Sequence, residues 1–159
     1  IGAELTSMRP EKFRKLIFVG PVGVKLGSRE TLDIPDIFAL SAATVEKLLY
    51  HEPERFRPDP AKMSDQELTV MLRNRETTAL LTWEPYMHNP KLRYRLHRIN
   101  VPTLLLWGAS DGVVPVTYAE AYRQMIPGAT LVVIPEAGHL PYIEQPNVLL
   151  QHVLAFVAQ

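Results

Sequence analysis

Few kinds of side chain here can carry acid–base or nucleophilic chemistry. With no cysteine among the 159 residues, disulfides, thiolate metal sites and a sulfur nucleophile drop out, leaving His, Asp and Glu as candidates. Of the five histidines, His51, His97 and His152 fall in or beside helical stretches, with no partner at a metal-ligand spacing such as H-E-x-x-H. They read as surface or packing residues, and no metal or organic cofactor is expected. His139 differs, because it follows a glycine in the loop Pro135-Glu136-Ala137-Gly138-His139, just past an apolar run. Asp111 sits similarly, in Gly108-Ala109-Ser110-Asp111-Gly112. Alone, an Asp in a glycine-rich turn is a turn residue and a loop His is a solvated one. Together, a carboxylate that orients an imidazole and an imidazole that moves a proton are two thirds of a nucleophilic triad.

For the two to meet, their loops must leave the same rim of one sheet. The run Leu16-Ile17-Phe18-Val19 is wholly apolar, the pattern of a strand buried on both faces, and the strand pattern returns from Val101 to Trp107 and from Thr130 to Ile134. Helices are expected from Gly2 to Phe13, from about Thr117 to Met125 and from about Gln145 to Val157, the last with apolar residues almost all round. Helix, strand, insert, strand, helix, strand, helix is half of a doubly wound α/β sheet. In such sheets chemistry sits beyond the carboxyl ends of the strands. Loops from adjacent parallel strands emerge about 5 Å apart there, which puts Asp111 within reach of His139. Gly108, Gly112 and Gly138 supply the tight turns that aim them.

The stretch between the first two strands is of another kind. Much of the chain's excess of proline, 14 residues, lies between Pro21 and Pro102, and the pattern becomes helices parted by turns. Ser41 can cap a helix running toward Tyr50. Ser64-Asp65-Gln66-Glu67 forms a capping box for another, whose apolar face would be Leu68, Met71, Leu72, Ala79 and Leu80. Asn89-Pro90 would start a third. The expected division is a core of residues 1–22 and 99–159 with a helical insertion at 23–98.

Composition narrows the partners. Lys plus Arg and Asp plus Glu both number 17, so the formal net charge is zero and the global basic field used for nucleic acids or anionic membranes is missing. Lys91, Arg93, Arg95 and Arg98 read as a solvated face rather than a nucleic-acid patch. Hydrophobic residues at 47% and charged residues at 21% fit a chain that packs a core. No run approaches the roughly 18 apolar residues of a membrane span and no signal-peptide order is present, so a cytoplasmic protein is the default expectation. The opening Ile1-Gly2-Ala3-Glu4 starts directly in a helix-like pattern without a cap, as a cut end would.

The tracts "VPTLLLWGASDGVVP" and "TLVVIPEAGHLPYIEQP" resemble the acid loop and histidine loop of the α/β-hydrolase superfamily, and "FRKLIFVGPVGVKL" is similar to the strand before its cap. The resemblance spans essentially the whole chain and implies the carboxyl-terminal half of a mostly parallel α/β-hydrolase sheet, with 23–98 as a cap over the active site. It implies Asp111 as triad acid and His139 as base. It also implies a nucleophile on a G-x-S-x-G elbow, and no such motif occurs in this chain. Ser7, Ser28, Ser41, Ser64 and Ser110 lack the flanking glycines. On that reading the nucleophile and the first five strands precede Ile1.

Within the insertion, Trp83, Tyr86, Met87 and His88 cluster in "TWEPYMHNP". Trp83, Tyr86 and Met87, with Leu140 beside the histidine, are the candidate substrate-binding residues; packing of cap against core is the competing role for the aromatic cluster. Two functional readings follow. One is a capped hydrolase acting through a nucleophile, His139 and Asp111 on an ester or related bond of a small apolar substrate, this chain alone being inactive. The other is a non-catalytic module that binds a ligand or partner. In that case the strand at Leu16–Val19 would be an open edge, which pairing of two copies could protect.

Overall fold

The computed structural model describes residues 1–28 and 30–159. Three parallel strands form one sheet in the order β1 (Leu16–Val19), β2 (Thr103–Gly108), β3 (Thr130–Ile134). β2, the central strand, is buried throughout, whereas the edge strand β3 buries only Ile134 and leaves Val133 exposed. The helices are α1 (Gly2–Met8), α2 (Ala42–Leu49), α3 (Pro53–Phe56), α4 (Asp65–Thr82), α5 (Val116–Met125), α6 (Pro141–Glu144) and α7 (Pro146–Ala158). One face of the sheet packs Leu16, Phe18, Leu105 and Trp107 with residues of α1, α5 and the insertion. The other packs Leu104, Leu106 and Ile134 under Phe156, Val148, Leu149 and Val153 of α7. No helix of the described residues is long and apolar enough to cross a membrane.

Several expected helices have different limits. The first ends at Met8, and Pro10–Lys12 form a separate 3-10 turn, because Pro10 has no N–H to continue the ladder. No third helix starts at Asn89-Pro90; Leu92–Tyr94 and Leu96–Arg98 are two 3-10 turns whose Leu92, Leu96 and following Ile99 are buried. The Ser64 capping box forms, with both the Glu67 N–H and the Ser64 N–H satisfied. The helix it opens buries no residue, however, and Leu72 and Leu80 are exposed. On α7 the apolar residues are not all inward: Leu150, Leu154 and Val157 form an exposed stripe. The basic run is partly engaged, since Arg95 pairs with Glu4 at 3.5 Å and Arg93 donates to the Lys25 carbonyl at 3.3 Å.

A polar knot holds the segment after β1 to α5. The Asp33 carboxylate accepts the amides of Leu26 and Gly27, each at 2.8 Å, and the Tyr118 hydroxyl, with Lys25 at 3.4 Å. Burial alone would raise its pKa, but these donors outweigh it and bring it down to about 2. Burial and the same bond push the Tyr118 phenol up.

Candidate active site

The strand order puts the turn after β2 next to the loop after β3, and the two side chains meet. His139 Nδ1 lies 2.9 Å from Asp111 Oδ2. The other oxygen, Oδ1, accepts the amides of Val113 at 2.9 Å and Val114 at 2.8 Å, and the Asp111 side chain is 0% exposed. With a carboxylate oxygen as acceptor, Nδ1 is the donor of this bond, so in the neutral ring the lone pair falls on Nε2. The His139 side chain is 20% exposed, so the imidazole is anchored on its inner side and accessible on its outer one. Among the described residues no hydroxyl is hydrogen-bonded to Nε2.

Glycines make the approach of the two loops feasible. A Cβ on Gly108 would come within 1.9 Å of the Gly138 carbonyl oxygen, so the last residue of β2 admits no side chain. Gly20, closing β1 at φ +49°, has its Cα facing the pair; a Cβ there would lie 3.2 Å from both Asp111 Oδ2 and His139 Nδ1.

The insertion is stitched to both loops through residues 48–52. The Leu48 carbonyl accepts from Gly112 N–H at 3.0 Å and the Leu49 carbonyl from His139 N–H at 2.8 Å. His51 Nδ1 lies 2.8 Å from Ser110 Oγ. Glu144 completes the seam: Oε2 accepts the Gly138 amide at 2.6 Å and Oε1 the amides of His51 and Glu52 at 2.8 and 3.0 Å. Glu144, Gly20 and the carbonyls of Leu48 and Leu49 were not singled out in the sequence. A hint was the acidic residue in Pro141-Tyr142-Ile143-Glu144, one turn beyond the histidine.

Leu140, the residue after His139, borders a groove of about 820 Å³ lined also by Tyr50, Phe56, Met63, Met71 and Ile143 among others. Burial, with Tyr142, Glu144 and Glu46 nearby, pushes the Tyr50 phenol up, so it remains neutral at ordinary pH. Of the candidate substrate-binding residues, only Leu140 borders this groove. Trp83 is 58% exposed. The Tyr86 hydroxyl donates to the Pro35 carbonyl at 2.9 Å and accepts the Ile37 amide at 3.1 Å, and Met87 is buried in the core. Tyr86 lines a separate cavity of about 690 Å³ with Lys25, Asp33 and His88.

A sheet of parallel strands with an acid after one and a histidine after the next defines a class, and the family comparison agrees. The model of the alpha/beta hydrolase fold matches residues 1–146, and the chain belongs to that family. Over 65 residues it is 42% identical to a pimeloyl-(acyl-carrier protein) methyl ester esterase of Pectobacterium atrosepticum, covering 41% of this chain and 26% of the relative. The esterase of the same name from Serratia marcescens is 26% identical over 118 residues, 72% of this chain and 46% of the relative. The chain thus spans between a quarter and a half of these relatives' length. A bacterial membrane phospholipase A matches with a TM-score of 0.71 at 23% identity, over 99% of this chain and 53% of that one. A serine hydrolase involved in carbazole degradation matches at 0.69 and 21%, over 99% and 58%.

Proposed function

We propose that the chain is the acid-and-base half of an ester hydrolase, with His139 as general base and Asp111 as its orienting acid. The observation that carries this reading is the 2.9 Å pair, its carboxylate buried and held by two further amides. In the reaction, His139 Nε2 takes the proton of a hydroxyl nucleophile attacking the ester carbonyl, then returns it to the leaving alcohol. Asp111 fixes the tautomer and stabilises the imidazolium formed in between. The nucleophile, a serine on a G-x-S-x-G elbow, comes from residues outside these 159, and the segment 23–98 acts as the cap. The similarity to methyl ester esterases favours an ester, and the apolar groove beside Leu140 suits a small apolar acyl or aromatic group.

The test is made on the protein that joins this chain to its nucleophile. His139→Ala should lower turnover of a short activated ester by about 10³-fold or more, and Asp111→Asn by about 10²-fold or more. Turnover within a few-fold of the parent would remove His139 from the mechanism. These residues alone should give no turnover; activity in them that a serine-directed reagent abolishes would contradict an external nucleophile. A second reading, a non-catalytic binding module, is favoured by the absence of a hydroxyl at Nε2 among the described residues, and an inactive joined protein would support it.

A further inference from the structure

Glu144 is a carboxylate only 6% exposed, and among the described residues no cation pairs with it. Moving such a group out of water is costly unless donors replace the lost hydration. Here three backbone amides do so, and they come from two distant parts of the chain: Gly138 on one oxygen, His51 and Glu52 on the other. Neither part could be joined this way by an amide or hydroxyl side chain. A glutamine would present one accepting oxygen and, at the other position, an NH₂ facing N–H donors.

The peptide that this bridge holds is the one that carries His139. The Gly138 N–H is held by Glu144, the His139 N–H by the Leu49 carbonyl, and the Gly138 carbonyl rests against Gly108 where no side chain fits. The imidazole hangs from this peptide over Asp111 Oδ2. Loss of the Glu144 contact frees the first of these restraints and lets the ring drift from its acid, while the cap segment at 51–52 loses its tie to the histidine loop.

We propose that Glu144 is a positioning residue for His139: by bridging Gly138 to His51 and Glu52, it sets the imidazole over Asp111 and couples that placement to the inserted segment. The proposal rests on the hydrolase reading for its catalytic meaning but not for its structural test. A displacement of a reacting group by about 1 Å is enough to cost on the order of 10²-fold in rate.

The structural test uses this chain and no substrate. In Glu144→Gln, the low-field proton resonance of His139 Nδ1–H should broaden or vanish, and the Gly138 amide should exchange at least about 10-fold faster, with far-UV circular dichroism retained. A folded variant that leaves both unchanged overturns the proposal. If Glu144→Gln does not fold, hydrogen exchange of the unsubstituted chain decides. The amides of Gly138, His51 and Glu52, sharing one carboxylate, should open together; Gly138 exchanging more than about 10-fold faster than the other two would overturn the bridge. In the joined enzyme, Glu144→Gln should lower kcat about 10- to 100-fold with KM within a few-fold. A raised KM with kcat unchanged would place Glu144 in groove binding and refute the positioning role. Failure of the hydrolase reading shows separately, as a His139→Ala enzyme that still turns over while the resonance responds to Glu144.

Discussion

Asp33 shows how much one carboxylate can contribute when its partners are built in. Its side chain is 9% exposed, and its pKa near 2 lies below the 3.8 of an ordinary aspartate. That difference corresponds to about 2 kcal/mol of folding stability. Because the folded pKa is the lower one, the contribution is complete above about pH 4 and disappears as the pH falls toward 2. Urea denaturation should therefore show Asp33→Asn to be less stable by about 2 kcal/mol at neutral pH, with the gap closing in acid. A gap independent of pH would mean that packing, not ionisation, is what the substitution removes. Asp33 and Glu144 share a reason for having been invisible in the sequence: their donors lie far away along the chain or on backbone amides, which no residue type announces. Asp111 and His139 were legible because strand ends and glycines locate them without knowledge of any distant contact. The roles expected of Trp83, Tyr86 and Met87 rested on their clustering within the expected cap, which says nothing of which way each side chain turns; the groove at Leu140 draws its lining largely from α3, α4 and their flanks.

At the level of elements, the strands were readable because each is a short apolar run closed by Gly or Pro, whereas the helices of the insertion were readable only where a cap marks them. Ser41 and Ser64 accept the expected amides. Asn89 also behaves as a capping side chain, accepting the Lys91 amide at 2.9 Å, yet only 3-10 turns follow, although the buried Leu92, Leu96 and Ile99 have the spacing of one α-helical face. The end of α7 has its own device, a lysine from the segment before β1. Lys15 Nζ donates to the carbonyls of Phe156 at 2.7 Å and Val157 at 2.9 Å, and lies 5.3 Å from the centre of the Phe156 ring. A cation there satisfies carbonyls left without helical partners and sits at the negative end of the helix dipole. Lys15→Met should cost about 1 kcal/mol and fray the last turn of α7, read as faster exchange of its final amides. Unchanged exchange and melting would show that solvent serves those carbonyls equally well.

Taken whole, the molecule leaves apolar surface and two strand edges, the outer sides of β1 and β3, without partners among the described residues. Leu16 and Gly20 donate inward to Pro102 and Leu106, so the alternate amides of Ile17 and Val19 face outward along β1. The stripe of Leu150, Leu154 and Val157 lies exposed on α7. An open, apolar edge pairs readily with another chain. At micromolar concentration these residues should sediment as dimers or larger species, and Ile17→Pro, which removes an outward donor and spares the β1–β2 ladder, should return them to monomers. A monomer across the whole concentration range would mean that the edge is not an interface. The sheet's connectivity has a temporal side as well. The unit β2–α5–β3 is local, and the Asp111–His139 contact can form as soon as the chain through residue 139 is available. The partner of β1, by contrast, is synthesised only after the entire insertion. A nascent chain leaving the ribosome must therefore carry Leu16 to Val19 without their β2 partner through all that time, so of the three strands β1 waits longest for this neighbour.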